Sequence, residues 1–180
     1  MSGCRTRLLW RTRKQCLNHS VPDAVADLLY DSASLTARLI RKCAGRFHVE
    51  VLSERRITVT PDEMRALRLP FRRRALVREV LLRCDRQAWV YARTVIPLHS
   101  LQGPLRRLTR LGNRPLGAVL FADPGMRREE MEVTRVSPDH ACYSGLRHGG
   151  EEVVWGRRSV FRINRRPLLV SEFFLPAIYE

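Results

Sequence analysis

Between Val21 and Gly45 apolar positions recur at the spacing of a helix face. Ser20-Val-Pro-Asp reads as a helix start with Pro22 in the first turn, and Val25, Leu28 and Leu29 follow it. The run Asp31-Ser-Ala-Ser34 interrupts this helix, and a second helical piece through Leu35, Leu39 and Ile40 is predicted to end near Gly45. From Arg46 the period changes to two. Phe47, Val49 and Val51 alternate with His48, Glu50 and Leu52, and Ile57 and Val59 precede Pro61, a strand pattern. Ala75 to Cys84 and Ala88 to Ile96 are two more strands, separated by Asp85-Arg-Gln at hairpin spacing. Helical signals return from Pro104 to Leu111 and again after Pro115. Met126 to Val136, Glu152 to Ile163 and Pro167 to Tyr179 read as extended, the last two joined by the turn Asn164-Arg-Arg-Pro. Consecutive hairpins with helices in separate blocks predict an α+β fold with a mainly antiparallel sheet.

Parity along two strands points to chemistry. Side chains at i and i+2 share a face, so Arg78 stands with Leu76, Val80, Leu82 and Cys84, and Glu172 with Leu168, Val170 and Phe174. A guanidinium or a carboxylate on an apolar face is costly unless an opposite charge meets it. Two readings fit equally: Arg78 and Glu172 pair with each other or with a neighbour across the sheet, or they face an anionic ligand.

Length and composition narrow the class. A chain of 180 residues with 44% hydrophobic content closes one sizeable core, so a single domain is expected, residues 21–180, behind a basic N-terminal segment, residues 1–20. The apolar runs, such as Ala118 to Ala122, are far shorter than the roughly 18 residues of a membrane span, and no secretory apolar region precedes Pro22. A cytoplasmic protein with no integral membrane segment is expected. Cys4, Cys16, Cys43, Cys84 and Cys142 are odd in number and scattered, which reads as reduced thiols. His140 and Cys142 lack two further ligands at finger-like spacing, so no metal is expected. The net charge of +15 is almost all arginine, since Lys14 and Lys42 are the only lysines. It attracts anions without choosing between nucleic acid, a membrane surface and a small acid.

Nucleotide and hydrolase motifs are missing. No GxSxG elbow surrounds a serine, and neither GxGxxG nor GxxxxGK[ST] occurs. Gly149-Gly150 reads as a turn, and Trp89, Tyr91 and Trp155 as packing within strands.

Several segments together resemble the chorismate pyruvate-lyase family of ubiquinone biosynthesis. They are VREVLLRCD at 77–85, ARTVIP at 92–97, RPLGAVLF at 114–121, WGRRS at 155–159 and RPLLVSEFFLPA at 166–177, in order across most of the chain from about Leu35. The resemblance implies a monomeric single domain whose antiparallel sheet and helical flaps enclose the ligand. Its activity would be a cofactor-free elimination turning chorismate into 4-hydroxybenzoate and pyruvate, the first committed step toward ubiquinone. It assigns Arg78 to the ring carboxylate and Glu172 to the ring oxygen, both as catalytic and substrate-binding residues. It adds the backbone of Leu116 and, through SLTARL at 34–39, the flap residue Leu35, where better-known members carry methionine. Arg93 serves either the second carboxylate or a structural pair. A closed site needs a moving cover, and Asp31 to Ser34 and Gly112-Asn113 are the expected hinges.

Two readings from other classes compete. A non-catalytic ligand-sensing domain of the related fold would normally follow a helix-turn-helix module, for which the residues before Ser20 are too few. A basic nucleic-acid-binding protein would bind DNA or RNA in a salt-sensitive way, whereas the lyase needs no nucleic acid.

Overall fold

The helical pattern ahead of Gly45 divides where the polar run predicts. A computed structural model of the chain describes residues 8–16, 21–70, 72–137, 144–149 and 152–180, so the expectations at Cys4, Ser20, His140, Cys142 and Gly150 lie outside the described residues. Helix α1 spans Asp23–Leu29 and buries Val25, Leu28 and Leu29, with Pro22 at the cap position. Helix α2 spans Leu35–Lys42, and the Ser34 hydroxyl accepts the Ala37 N–H at 3.4 Å, a serine cap after the break. Leu35 and Leu39 are buried, while Ile40 is half exposed.

The strands are β1 (Arg11–Thr12), β2 (Phe47–Thr58), β3 (Arg74–Cys84), β4 (Gln87–Pro97), β5 (Met126–Arg128), β6 (Glu132–Val136), β7 (Val154–Ile163) and β8 (Arg166–Phe174). They form one antiparallel sheet in the order β1-β6-β7-β8-β4-β3-β2, with β5 pairing β7 beyond β6. The two hairpins turn on Asp85-Arg86 and Asn164-Arg165, and Asp85, Asn164 and Arg165 all have positive φ, the backbone that tight hairpins demand.

Strand β2 contains a bulge. Val51 faces Val80 but Ser53 faces Glu79, so the extra residue exchanges the faces along the strand. Val49 therefore packs with α1 and α2, and Ile57 packs on the opposite side with Met64 and Leu67.

Other differences have local causes. Residues Gly103–Arg110 form a 3-10 helix rather than an α-helix, and α4 spans Leu116–Phe121 after Pro115. The extended stretch Met126 to Val136 splits into β5 and β6. The last strand stops at Phe174, and Pro176–Ile178 closes as a 3-10 turn. An unpredicted helix, α3 (Pro61–Ala66), starts on a capping box, in which Thr60 Oγ1 accepts the Glu63 N–H and Glu63 Oε2 accepts the Thr60 N–H.

The reduced-thiol expectation is corrected. Cys43 and Cys84 form a disulfide with Cα atoms 5.7 Å apart, joining the end of α2 to the end of β3. Phe47 pairs with Cys84 across the β2–β3 ladder, so sheet register brings together two thiols that are 41 residues apart and share no motif spacing. Cys16 is a free thiol.

Sheet and helices bury apolar clusters on both faces. On one face α1, α2 and α4 lie against β3, β4, β7 and β8, and on the other α3 covers Ala75, Val77, Val95 and Leu169. No helix among the described residues is long and apolar enough to cross a membrane.

Candidate active site

A cavity partly open to solvent lies between the sheet and helices α2 and α4. Its floor alternates as the parity argument requires. Arg78, Val80 and Leu82 come from β3, Ala92 and Thr94 from β4, and Val170 and Glu172 from β8. Register places Arg78 beside Thr94 and Glu172 beside Ala92, so one intervening strand separates the two charges.

Arg78 is buried at 4% exposure. Its Nη1 donates to Glu54 Oε2 at 3.3 Å and its Nη2 to the Gly112 carbonyl at 2.7 Å. A guanidinium carries five N–H donors, so donors remain for a carboxylate in the cavity. The Gly112 contact also ties the arginine to one of the expected hinges, where Gly112 has φ +53.

Glu172 is paired with Arg157, whose Nε donates to Glu172 Oε2 at 2.7 Å. Arg157 is 1% exposed, and its Nη1 donates to the carbonyls of Leu28 and Asp31 at 2.8 and 2.6 Å. The same arginine thus orients Glu172 and holds the break between α1 and α2. Asp31 supports that break as well: its Oδ1 accepts the Ala33 N–H at 2.8 Å and its Oδ2 lies 3.1 Å from Arg38. Burial acts to raise the Asp31 carboxyl, but the Ala33 N–H and the Arg38 and Arg157 charges outweigh it and hold the group below its ordinary value.

The roof comes from the helix starts. Leu35 is the first residue of α2, buried and lining the cavity, and Leu116 is the first residue of α4. N–H groups in a first helical turn have no helical acceptor, so the backbone at Leu116 has a donor to offer. The two helices meet closely: a Cβ on Gly117 would stand 2.9 Å from Thr36 Oγ1 and 3.4 Å from Ser34 Oγ.

The structure thus brings Leu35, Arg78, Leu116 and Glu172 to one cavity, and Arg78 and Glu172 each take an ion-pair partner from a neighbouring strand. Arg93 does not join them. It faces the other side of the sheet, where its Nε meets Glu63 Oε1 at 2.6 Å and its Nη1 meets Glu79 Oε1 at 3.1 Å. Sequence parity missed Arg157 and Arg128, both lining the cavity. Applied to β7, it sets Arg157 with Trp155, Ser159 and Phe161, a signal of the same kind as that at Arg78. Among the described residues no group of His, Cys, Asp and Glu is arranged to hold a metal ion.

Residues 5–180 match the family model described as Chorismate lyase. The chain is 47% identical over 157 residues to the probable chorismate pyruvate-lyase of Azoarcus sp. (strain BH72), covering 83% of this chain and 82% of that one. It is 38% identical over 180 residues to the chorismate pyruvate-lyase of Serratia proteamaculans (strain 568), covering 98% and 93%. Among solved structures, the PhnF C-terminal domain matches with a TM-score of 0.59 at 12% identity, over 81% of this chain and 92% of that one. The C-terminal domain of the histidine utilization repressor from Pseudomonas syringae pv. tomato str. DC3000 gives 0.56 at 11% identity, over 75% and 95%. At that identity the likeness to these two domains shows a shared fold.

Proposed function

Since the chain belongs to the chorismate lyase family, we propose that it splits chorismate into 4-hydroxybenzoate and pyruvate in the cavity under α2 and α4, by an elimination that needs no cofactor. The observation that carries the reading is the placement of Arg78 and Glu172 on one floor, a strand apart, among apolar walls. Chorismate carries a ring carboxylate at one end and, at the other, a hydroxyl beside an enolpyruvyl ether. Arg78 clamps the ring carboxylate with parallel N–H bonds, assisted by backbone N–H at Leu116. Glu172, held by Arg157, accepts a hydrogen bond from the ring hydroxyl.

The reaction breaks the ether bond between ring and side chain, and the hydrogen on the hydroxyl-bearing ring carbon leaves as a proton. The ring becomes aromatic, and the released enolpyruvate takes up a proton to give pyruvate. Because aromatisation supplies the driving force, the protein's contribution is orientation and exclusion of water. Glu172 is the carboxylate placed to assist the proton's departure at the hydroxyl end. In this reading the protein works as a cytoplasmic monomer, a carbon-oxygen lyase whose product enters ubiquinone synthesis.

The purified protein is expected to release 4-hydroxybenzoate and pyruvate in equal amounts from chorismate, at a rate unchanged by exhaustive chelation. Absence of both products, or activity lost on chelation and restored by one metal, would count against it.

A further inference from the structure

Clamping one carboxylate and one hydroxyl leaves the enolpyruvyl carboxylate without a partner, and the cavity has a guanidinium to spare. Three arginines, Arg78, Arg128 and Arg157, line it against one glutamate, a formal surplus of two positive charges. Glu54, outside the lining, partly offsets Arg78, and Glu172 offsets Arg157. Arg128 differs from both. At the end of β5, its Nε donates to Ser159 Oγ at 2.9 Å, its Nη1 donates to the Ser32 carbonyl at 3.1 Å, and its guanidinium carbon lies 5.2 Å from the Phe161 ring centre. All three partners are neutral, and among the described residues no carboxylate comes within ion-pair distance of it.

A half-buried cation held by neutral groups lacks the anion that would repay its desolvation. Burial lowers the pKa of Arg128, and the Arg157 charge lowers it further, while Glu172 and Asp31 act in the opposite direction. Those couplings also locate Arg128 at the Glu172 end of the cavity. The ether of chorismate sits on the ring carbon next to the hydroxyl, so with the hydroxyl at Glu172 the side chain leaves the ring toward that end.

We infer that Arg128 binds the carboxylate of the enolpyruvyl side chain, and that it discriminates substrate from product, because 4-hydroxybenzoate has no such group. The inference rests on the proposed lyase activity. Through the Ser32 carbonyl, the same arginine links an occupied side-chain subsite to the break between α1 and α2.

Arg128→Gln keeps a donor for Ser159 and Ser32 and removes the charge, and Arg128→Lys keeps the charge. Chorismate turnover and the dissociation constant of 4-hydroxybenzoate are measured for both variants and for the unchanged protein. The glutamine variant is expected to lose about 30-fold or more in kcat/KM for chorismate, with product affinity held within about twofold, and the lysine variant to recover part of the loss. Equal weakening of substrate and product, or a kcat/KM close to that of the unchanged protein, overturns the assignment of Arg128 while leaving the lyase reading intact. An unchanged protein that makes no 4-hydroxybenzoate overturns the lyase reading and this inference with it.

Discussion

In the proposed lyase Arg78 is both a structural partner and a binding group. Its bonds to Glu54 and Gly112 satisfy the buried charge from within the protein, so folding does not depend on a ligand. Arg78→Ala is therefore expected to stay folded, with kcat/KM for chorismate falling by an amount equivalent to roughly 2–5 kcal/mol. Unlike the change at Arg128, it should weaken 4-hydroxybenzoate as well, since the product keeps the ring carboxylate. Steady-state kinetics with product titration checks both. A folded variant with ordinary kinetics would leave Arg78 as a structural ion pair alone. Glu172→Gln keeps a hydrogen-bonding group without its ionisation, and Glu172→Ala removes both. The alanine variant is expected to turn over slowly and bind product weakly, and the glutamine variant to keep product affinity better than rate. At this scale parity read from the sequence located Arg78 and Glu172 because each stands on an apolar face. Parity does not decide Arg93, because the identity of a residue says nothing about which partner strand or helix offers it an acid. The answer lay in α3, where Glu63 faces Arg93 across the fold.

The cover is built from two short helices whose ends are held differently. The far end of α2 is pinned to β3 by the Cys43–Cys84 disulfide, and its near end, with Leu35 over the cavity, packs on α4 without a covalent tie and follows the Asp31 to Ser34 break. A swing of α2 with the disulfide as pivot would break the Arg157 and Arg128 bonds to the carbonyls of Leu28, Asp31 and Ser32. Cys43→Ser removes the pivot. It is expected to cost roughly 2–4 kcal/mol of stability and to speed release of 4-hydroxybenzoate, measurable by denaturant titration and by product dissociation in stopped flow. Slower or unchanged release would show that α2 does not swing about that end. The α1–α2 break was legible because a polar run with a serine cap interrupts an apolar face, and the hairpins because their turns are short. The disulfide and the β2 bulge were not, since both depend on register across the sheet rather than on spacing along the chain. The capping box at Thr60 and Glu63 was written in the sequence, but a six-residue helix offers too little apolar periodicity to draw notice.

Across the whole molecule, the arginine excess is partly spent inside. Arg78, Arg93, Arg157 and Arg158 are all buried and paired with acids, so a net charge of +15 does not by itself describe a binding face. The sheet separates two polar systems: the cavity of Arg78 and Glu172 on one side and, on the other, a network that joins Glu63, Glu79, Arg93, Tyr91 and Ser53. The second is a structural device, and its acid sensitivity can be derived. Burial acts to raise the pKa of Glu79, but the hydrogen bonds from Tyr91 and Ser53 and the Arg93 charge outweigh it and hold the carboxyl below its ordinary value. A carboxyl with a depressed folded-state pKa binds fewer protons in the folded than in the unfolded chain, so its contribution is complete above the unfolded value, about 4.3 for glutamate, and is lost as pH falls below it. Unfolding free energy should therefore decline on acidification through that window. Glu79→Gln should be less stable than the unchanged protein at neutral pH by roughly 3–5 kcal/mol, because Arg93 loses a buried acid. It should also show a shallower decline toward low pH, because the group that titrates is gone. Urea titrations of both proteins between about pH 3 and pH 7 compare the slopes directly. Parallel slopes would show that the acid sensitivity belongs to other carboxylates, Asp31 at the cover foremost among them.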